Sequence, residues 1–211
     1  MFQASLQISQ SEFGSAVILN NNYLLTTAFN VVWAQIEELQ FRVGSNSASS
    51  KGQVLNAAEV HIHPNYTGSW DYDIAVVKTD KLISFSKKAK PIKIATTELK
   101  AKTAAKVIGW GETTYESNTT SKFLQVGDVT VLDHTQCAKT YNSDLTDRLM
   151  CTLDKKQGPC EYDFGDPLVA NTQLYGLFAG GYDCKPGNPV LYTDIPNLSS
   201  WVNSIVPSTQ H

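Results

Sequence analysis

The apolar positions of this chain fall in short unbroken or alternating runs, not in the three-to-four-residue stripes of amphipathic helices. Ala16-Val17-Ile18-Leu19 leads into the turn-forming Asn20-Asn21-Asn22, and Tyr23-Leu24-Leu25-Thr26-Thr27 follows. Two β-favouring runs around an asparagine cluster predict a hairpin of buried strands. Ile74-Ala75-Val76-Val77, Ala105-Lys106-Val107-Ile108, Val129-Thr130-Val131-Leu132 and Leu174-Tyr175-Gly176-Leu177-Phe178 read as further strands. Loops such as Gly44-Ser45-Asn46-Ser47 lie between them. Helical periodicity supports only two segments. One is short, beginning near Asp133 or Thr135 ahead of Cys137. The other is terminal, with Asn197 as its expected N-cap and Trp201, Val202 and Ile205 on one face. Many short strands with few helices predict an all-β sandwich or barrel.

A chain of 211 residues with 42% hydrophobic side chains is long enough to bury a proper core, as one large β domain or two small packed barrels. Its net charge of −3 supplies no global basic field for nucleic acid or anionic lipid. No apolar run approaches the roughly 20 residues of a membrane-spanning helix. Partners of those two classes are therefore not expected. Met1 to Leu6 lack the charged start, apolar stretch and small-residue cleavage site of a signal peptide, so a mature start is expected. The four cysteines, Cys137, Cys151, Cys160 and Cys184, allow three pairings, and none forms a Cys-x-x-Cys zinc pair. No metal or cofactor is expected. Asn65-Tyr66-Thr67, Asn118-Thr119-Thr120 and Asn197-Leu198-Ser199 are candidate glycosylation acceptors. With paired cysteines they point to a secreted, extracellular protein.

Four segments, taken in order, resemble the trypsin and chymotrypsin family of serine proteases. Asn22-Tyr23-Leu24-Leu25-Thr26-Thr27-Ala28-Phe29-Asn30 is similar to the family's NWVVTAAHC, and Asp71-Tyr72-Asp73-Ile74-Ala75 to its DNDIA. Ile108-Gly109-Trp110-Gly111 resembles SGWG, and the segment from Gly158 to Val169 resembles DSCQGDSGGPLV. Phe2 to Gln7 resembles the first strand, and Gly181 to Thr193 with the Trp201 helix resembles the closing segment. The resemblance implies two six-stranded antiparallel β-barrels with a C-terminal helix, residues 1–95 forming the first barrel and 96–211 the second. It also implies the disulfides Cys137–Cys151 and Cys160–Cys184. A third family bridge would join positions held here by Gly14 and Asn30, and both cysteines are gone together.

Peptide hydrolysis on this scaffold needs a serine nucleophile, a histidine base and an orienting aspartate. By resemblance these positions are Phe164, Phe29 and Asp73. A phenyl ring neither accepts a proton nor attacks a carbonyl. No serine lies between Ser143 and Ser199, so shifting the alignment recovers no nucleophile. His63 reads as a solvated strand-end residue, and Asp73 as a buried acceptor for backbone N–H groups. Phe29 and Phe164 are expected to pack together across the old cleft. At the oxyanion hole, Tyr162 replaces a glycine, and its Cβ disfavours positive φ. Asp166 replaces another glycine nearby. The specificity pocket is expected to be closed or rebuilt. Gly158 stands at its base, Val190 replaces a lining glycine, and Ala179-Gly180-Gly181 replaces a serine-tryptophan-glycine wall, removing an aromatic face. In active relatives the aspartate at position 163 pairs with an N-terminal amine; here Asp163 needs another partner or solvent. The expected function is that of a catalytically inactive homologue acting as a binding protein, decoy or inhibitor toward a protein partner. Inactive paralogues of parasitic mites, which interfere with host complement and proteolytic cascades, show one such role. The alternative is a hydrolase with relocated catalytic groups.

Overall fold

The computed structural model describes residues 1–112, 119–154, 158–160, 162–182 and 185–207. Strands β1 (Gln3–Ile8), β2 (Ser11–Ile18), β3 (Tyr23–Thr26), β4 (Leu39–Val43), β5 (Gln53–Ile62) and β6 (Ala75–Thr79) close into an antiparallel barrel, ordered β1-β2-β3-β6-β5-β4. A linker carries the two-residue strand β7 (Lys93–Ile94). The second half holds β8 (Ala104–Gly109), β9 (Gln125–Val131), α1 (His134–Tyr141), β10 (Leu149–Leu153), β11 (Pro167–Ala170), β12 (Gln173–Gly180), β13 (Val190–Asp194) and α2 (Ile195–Ile205). Its antiparallel pairings run β8-β9-β10-β13-β12-β11 and return to β8, which makes a second six-stranded barrel. β7 adds in parallel to β12, with Lys93 opposite Gln173, so pairing of the second barrel starts two residues inside the 1–95 segment.

The unbroken apolar runs follow from where these strands sit. Successive side chains of a strand point to opposite faces. Ile18, Leu24 and Val77 fill the first barrel. Their neighbours Val17, Leu25 and Val76 face outward, against Leu174, Leu177, Ile195, Leu198 and Val202 of the second half. All are buried. A strand covered on both faces cannot alternate with polar residues, so AVIL and YLLT are what an inter-barrel seam demands. At the hairpin tip, Asn20 Oδ1 accepts from the backbone N–H groups of Asn22 (2.9 Å) and Tyr23 (3.0 Å), fixing the turn.

α1 starts after Asp133, whose side chain accepts from Gln136 N at 2.7 Å. The N-cap of α2 is Asp194, not Asn197. Pro196 is pre-set for a first helical turn and lacks the N–H that turn leaves unpaired, so the helix begins ahead of it. Asn197 instead donates its side-chain amide to Glu98 Oε1 (2.9 Å) and Asp147 O (2.7 Å). His63 is not a solvated residue. It is 8% exposed, with its ring 4.5 Å from that of Tyr72 and 4.9 Å from that of Trp201, and burial lowers its pKa. α2 folds back over the strand end and covers it, a contact between distant segments.

Cys137 and Cys151 are bonded, tying α1 to β10 across 14 residues. Cys160 is also in a disulfide; its expected partner Cys184 lies outside the described residues. Closing a loop of that length contributes about 3 kcal/mol by restricting the unfolded chain. Replacing Cys137 and Cys151 by Ser together is therefore expected to lower the unfolding free energy by about that amount, measured by urea titration under non-reducing conditions.

Candidate functional site

The two barrels meet along a cleft with Asp73 at its floor, 1% exposed. Its carboxylate is aimed by the turn before β6, where Tyr72 takes a left-handed φ of 55°. That backbone is held from several sides. Arg148 lies over the Tyr72 ring at 4.5 Å and makes a two-pronged pair with Asp71, at 2.8 and 2.9 Å. Asp73 Oδ1 then accepts from the backbone N–H of Phe29 at 2.7 Å, and Thr193 Oγ1 donates to Asp73 O at 2.8 Å from the second barrel. Burial pushes the Asp73 carboxyl up to about 7, against the two backbone donors at Phe29 and Ala28 that favour its ionised form.

The Phe29 and Phe164 rings meet above this floor, with centroids 4.9 Å apart and tilted by 48°. They belong to a longer aromatic run. Phe13 stacks on Phe29 at 6.3 Å, Phe164 meets Phe178 at 5.7 Å, and Phe178 meets Tyr192 at 5.8 Å. The run passes from β2 of the first barrel to β13 of the second. Each such pair contributes about 0.5–1.5 kcal/mol beyond the area it buries.

Positions 14 and 30 lie side by side. A Cβ on Gly14 would stand 2.9 Å from the side-chain amide of Asn30. The Asn30 amide donates to Phe164 O (2.8 Å) and to Thr26 Oγ1 (3.0 Å), and the N–H of Ser15 donates to the same Phe164 carbonyl at 2.9 Å. Asn30 and Ser15 thus form a hydrogen-bonded clasp between the first barrel and the Phe164 loop of the second half.

Three features around the residues that the resemblance assigned to the specificity pocket and oxyanion hole differ from the sequence-based expectation or extend it. Tyr162 adopts the left-handed φ of 68° that its Cβ disfavours. The surrounding turn imposes it, with Asp163 N bonded to Cys160 O at 3.1 Å, at a cost of about 1–2 kcal/mol. The aromatic face expected to be lost is supplied by Trp70 from the first barrel. Its Nε1 lies 3.0 Å from where a Cβ on Gly180 would sit, and Phe164 Cε1 lies 3.6 Å from the same point. A carboxylate lies beside Gly158, because a Cβ on that residue would collide with Asp154 Oδ2. Ala179 is buried beside Gly180, and Val190 is packed in the second barrel's core against the Phe164 and Phe178 side. What remains open is a cavity of about 450 Å³ lined by Tyr66, Trp70, Asp73, Asp144, Phe164 and Gly180, among others. Tyr182 packs behind two of these residues, with ring contacts to Trp70 (5.4 Å) and Tyr141 (4.9 Å), and its hydroxyl donates to Asp144 at 2.5 Å. Trp70, Tyr182 and Asp154 were not singled out by sequence. The glycine pair at 180 and 181 was the signal that a bulky neighbour had room there.

Asp163 is not solvated either. It is 5% exposed, bonded to Gly111 N and Cys160 N. Among the described residues no group of three or more His, Cys, Asp and Glu side chains is placed to hold a metal ion. No helix among them is long and apolar enough to cross a membrane.

The trypsin family profile matches residues 1–202. The chain belongs to the trypsin family. It is 32% identical over 208 residues to trypsin delta of Drosophila melanogaster, spanning 96% of this chain and 82% of that protein. Trypsin 5G1 of Aedes aegypti is 30% identical over 213 residues, spanning 97% and 79%. Among solved structures, neuropsin, a serine protease expressed in the limbic system of mouse brain, superposes with a TM-score of 0.90 at 24% identity, over 96% of this chain and 93% of that one. That last likeness speaks to the fold.

Proposed function

We propose that this trypsin-family chain has given up peptide hydrolysis and works by binding another protein across its former cleft. One observation supports the reading: phenyl rings 4.9 Å apart, above a buried Asp73, belong to the residues that the family resemblance aligns with the base and the nucleophile. Neither ring carries a basic or nucleophilic atom. The cleft's surroundings supply contact surface instead. Trp33, four residues beyond Phe29, is 78% exposed, Tyr182 is 59% exposed and Tyr162 is 43% exposed. Tyrosine and tryptophan side chains of this kind dominate the energetics of protein interfaces. The partner we favour is a component of a proteolytic cascade, such as host complement, toward which the chain acts as decoy or inhibitor. The paired cysteines accord with secretion. Asn65 is exposed and suits a glycan, Asn197 has its amide engaged, and Asn118 lies outside the described residues.

The purified protein, at micromolar concentration, is expected to show no burst with activated esters and no labelling by a fluorophosphonate. It is expected to slow complement lysis or clotting in plasma. Replacing both Trp33 and Tyr182 by Ala is expected to weaken that effect at least about 10-fold. Stoichiometric fluorophosphonate labelling would establish the hydrolase alternative, and no effect in either plasma reaction would remove the cascade reading.

A further inference from the structure

The loop that carries Phe164 is anchored by two buried carboxyl groups, Asp163 (5% exposed) and Asp166 (1% exposed). Glycines make their room. A Cβ on Gly109 would overlap Asp166 Oδ2, and one on Gly111 would overlap the Asp163 carboxyl. Asp163 is the acceptor of the pair, taking N–H donors from Gly111 (2.7 Å, Oδ1) and Cys160 (3.0 Å, Oδ2). Gln3 Nε2, from β1, donates to Asp166 Oδ1 at 2.9 Å and reaches Ile108 O at 2.8 Å. The point where a Cβ on Gly109 would sit is crowded by Asp166 Oδ2 and by Asp163 Oδ1 together, which places the two carboxyl groups against one another. Two ionised carboxylates have only acceptors to offer one another, so such a contact becomes attractive only with a proton between them.

We propose that Asp163 and Asp166 share one proton, and that this carboxyl–carboxylate pair locks the Phe164 loop against the first barrel. Asp166 donates and Asp163 accepts. Asp166 thereby offers Asp163 a donor beside the backbone N–H groups of Gly111 and Cys160. The charged groups bearing on the pair from adjoining elements are acidic: Glu12 from β2 and Glu112 just past β8. Tyr192 of β13, itself influenced by Asp154, closes the far side. A second negative charge here would find like charges and little water, and such pairs retain a proton. In accord, burial and then the Asp163 charge hold Asp166 well above the carboxylate range, burial raises Asp163 to about 6, and burial with the Asp163 charge raises Glu12 to about 7.

The test uses the intact chain with isotope-labelled aspartate, in a background carrying Asp73→Asn and Asp194→Asn, which removes the two further aspartates whose carboxyls burial raises to about 7. Infrared and carboxyl NMR titrations are expected to show one proton on the pair at about pH 7 and two coupled steps. In Asp166→Asn the neutral-acid band disappears, while the amide still donates to Asp163. The loss of melting temperature between about pH 5 and about pH 8 is then smaller than in the background protein. Asp166→Gly, which has no donor, is expected to melt below Asp166→Asn at both pH values. Full ionisation of both aspartates by about pH 5 would overturn the shared proton, and so would a neutral-acid band that Asp166→Asn leaves in place. Equal melting of the Gly and Asn variants would overturn the lock. If Asp166→Asn does not fold, the titration of the background protein decides alone.

Discussion

Replacing Phe29 by His and Phe164 by Ser together is expected to restore no more than trace peptide hydrolysis. The new imidazole would find its orienting carboxylate, since Asp73 is already aimed beneath position 29 and bonded to its backbone. The new hydroxyl would sit on a loop whose carbonyl is clasped by Asn30 and Ser15. Substrate binding is what the double change leaves unrepaired. Val190 stays packed in the core, and Trp70 stays against Gly180, where a substrate backbone would need to lie. Transition-state stabilisation is spent on positioning and on oxyanion donors, each worth about 10²–10³ or more. Turnover is thus expected to remain at least about 10³-fold below that of a trypsin assayed alongside. Amide and ester substrates with single-turnover detection measure this. Efficient hydrolysis by the double variant would show that pocket and hole are competent and that only two side chains separate this chain from catalysis.

The protein is expected to be more stable at about pH 5 than at about pH 8, opposite to a fold held by salt-bridged carboxylates. The Asp73 carboxyl is raised from 3.8 to about 7 in the folded state, burial being the largest cause. A raised folded-state pKa means the native protein binds a proton that the unfolded chain has released. The contribution is complete below the unfolded value near 4 and is lost as pH rises through about 7. A shift of this size corresponds to something on the order of 4 kcal/mol across that window. Tyr66, raised to about 12 by burial and by the Asp73 charge, stays neutral throughout. Asp73→Asn keeps an acceptor for the Phe29 N–H and has nothing to ionise. Guanidinium titrations at the two pH values are expected to show wild type losing stability and Asp73→Asn losing less. Equal losses in both proteins would place the Asp73 proton elsewhere.

Much of the fold was legible because a β-strand writes its surroundings into a two-residue period. Runs such as Ala16 to Leu19 carry apolar residues at every position, and only a strand buried on both faces uses such a run. The turn at Asn20 and the helix ahead of Cys137 were readable for a similar reason, since each is decided within a few residues. The N-cap of α2 was read three residues late because Asn197 competes with Asp194 within one short stretch. Pro196 settles the choice, and Asn197 is drawn away by Glu98 and Asp147, far off in the chain. His63 was read as solvated because the residues that cover it, Tyr72 and Trp201, lie on another turn and on the last helix.

The identity of two side chains, Phe29 and Phe164, was determined by sequence alone, and with it the absence of basic and nucleophilic atoms at those positions. Hydrophobic periodicity, a local property, reached as far as an all-β sandwich or barrel, and the pair of six-stranded barrels was implied by the resemblance to the trypsin family. Only the tertiary structure decided what fills the space around those rings. Trp70 came to Gly180 from the other barrel, Asp154 turned toward Gly158, and Asp166 met Asp163 over two glycines. The first joins segments distant in the chain, and the last needs the room left by Gly109 and Gly111, far earlier in the chain. Van der Waals volume and desolvation, which select such contacts, leave no period in the sequence to read.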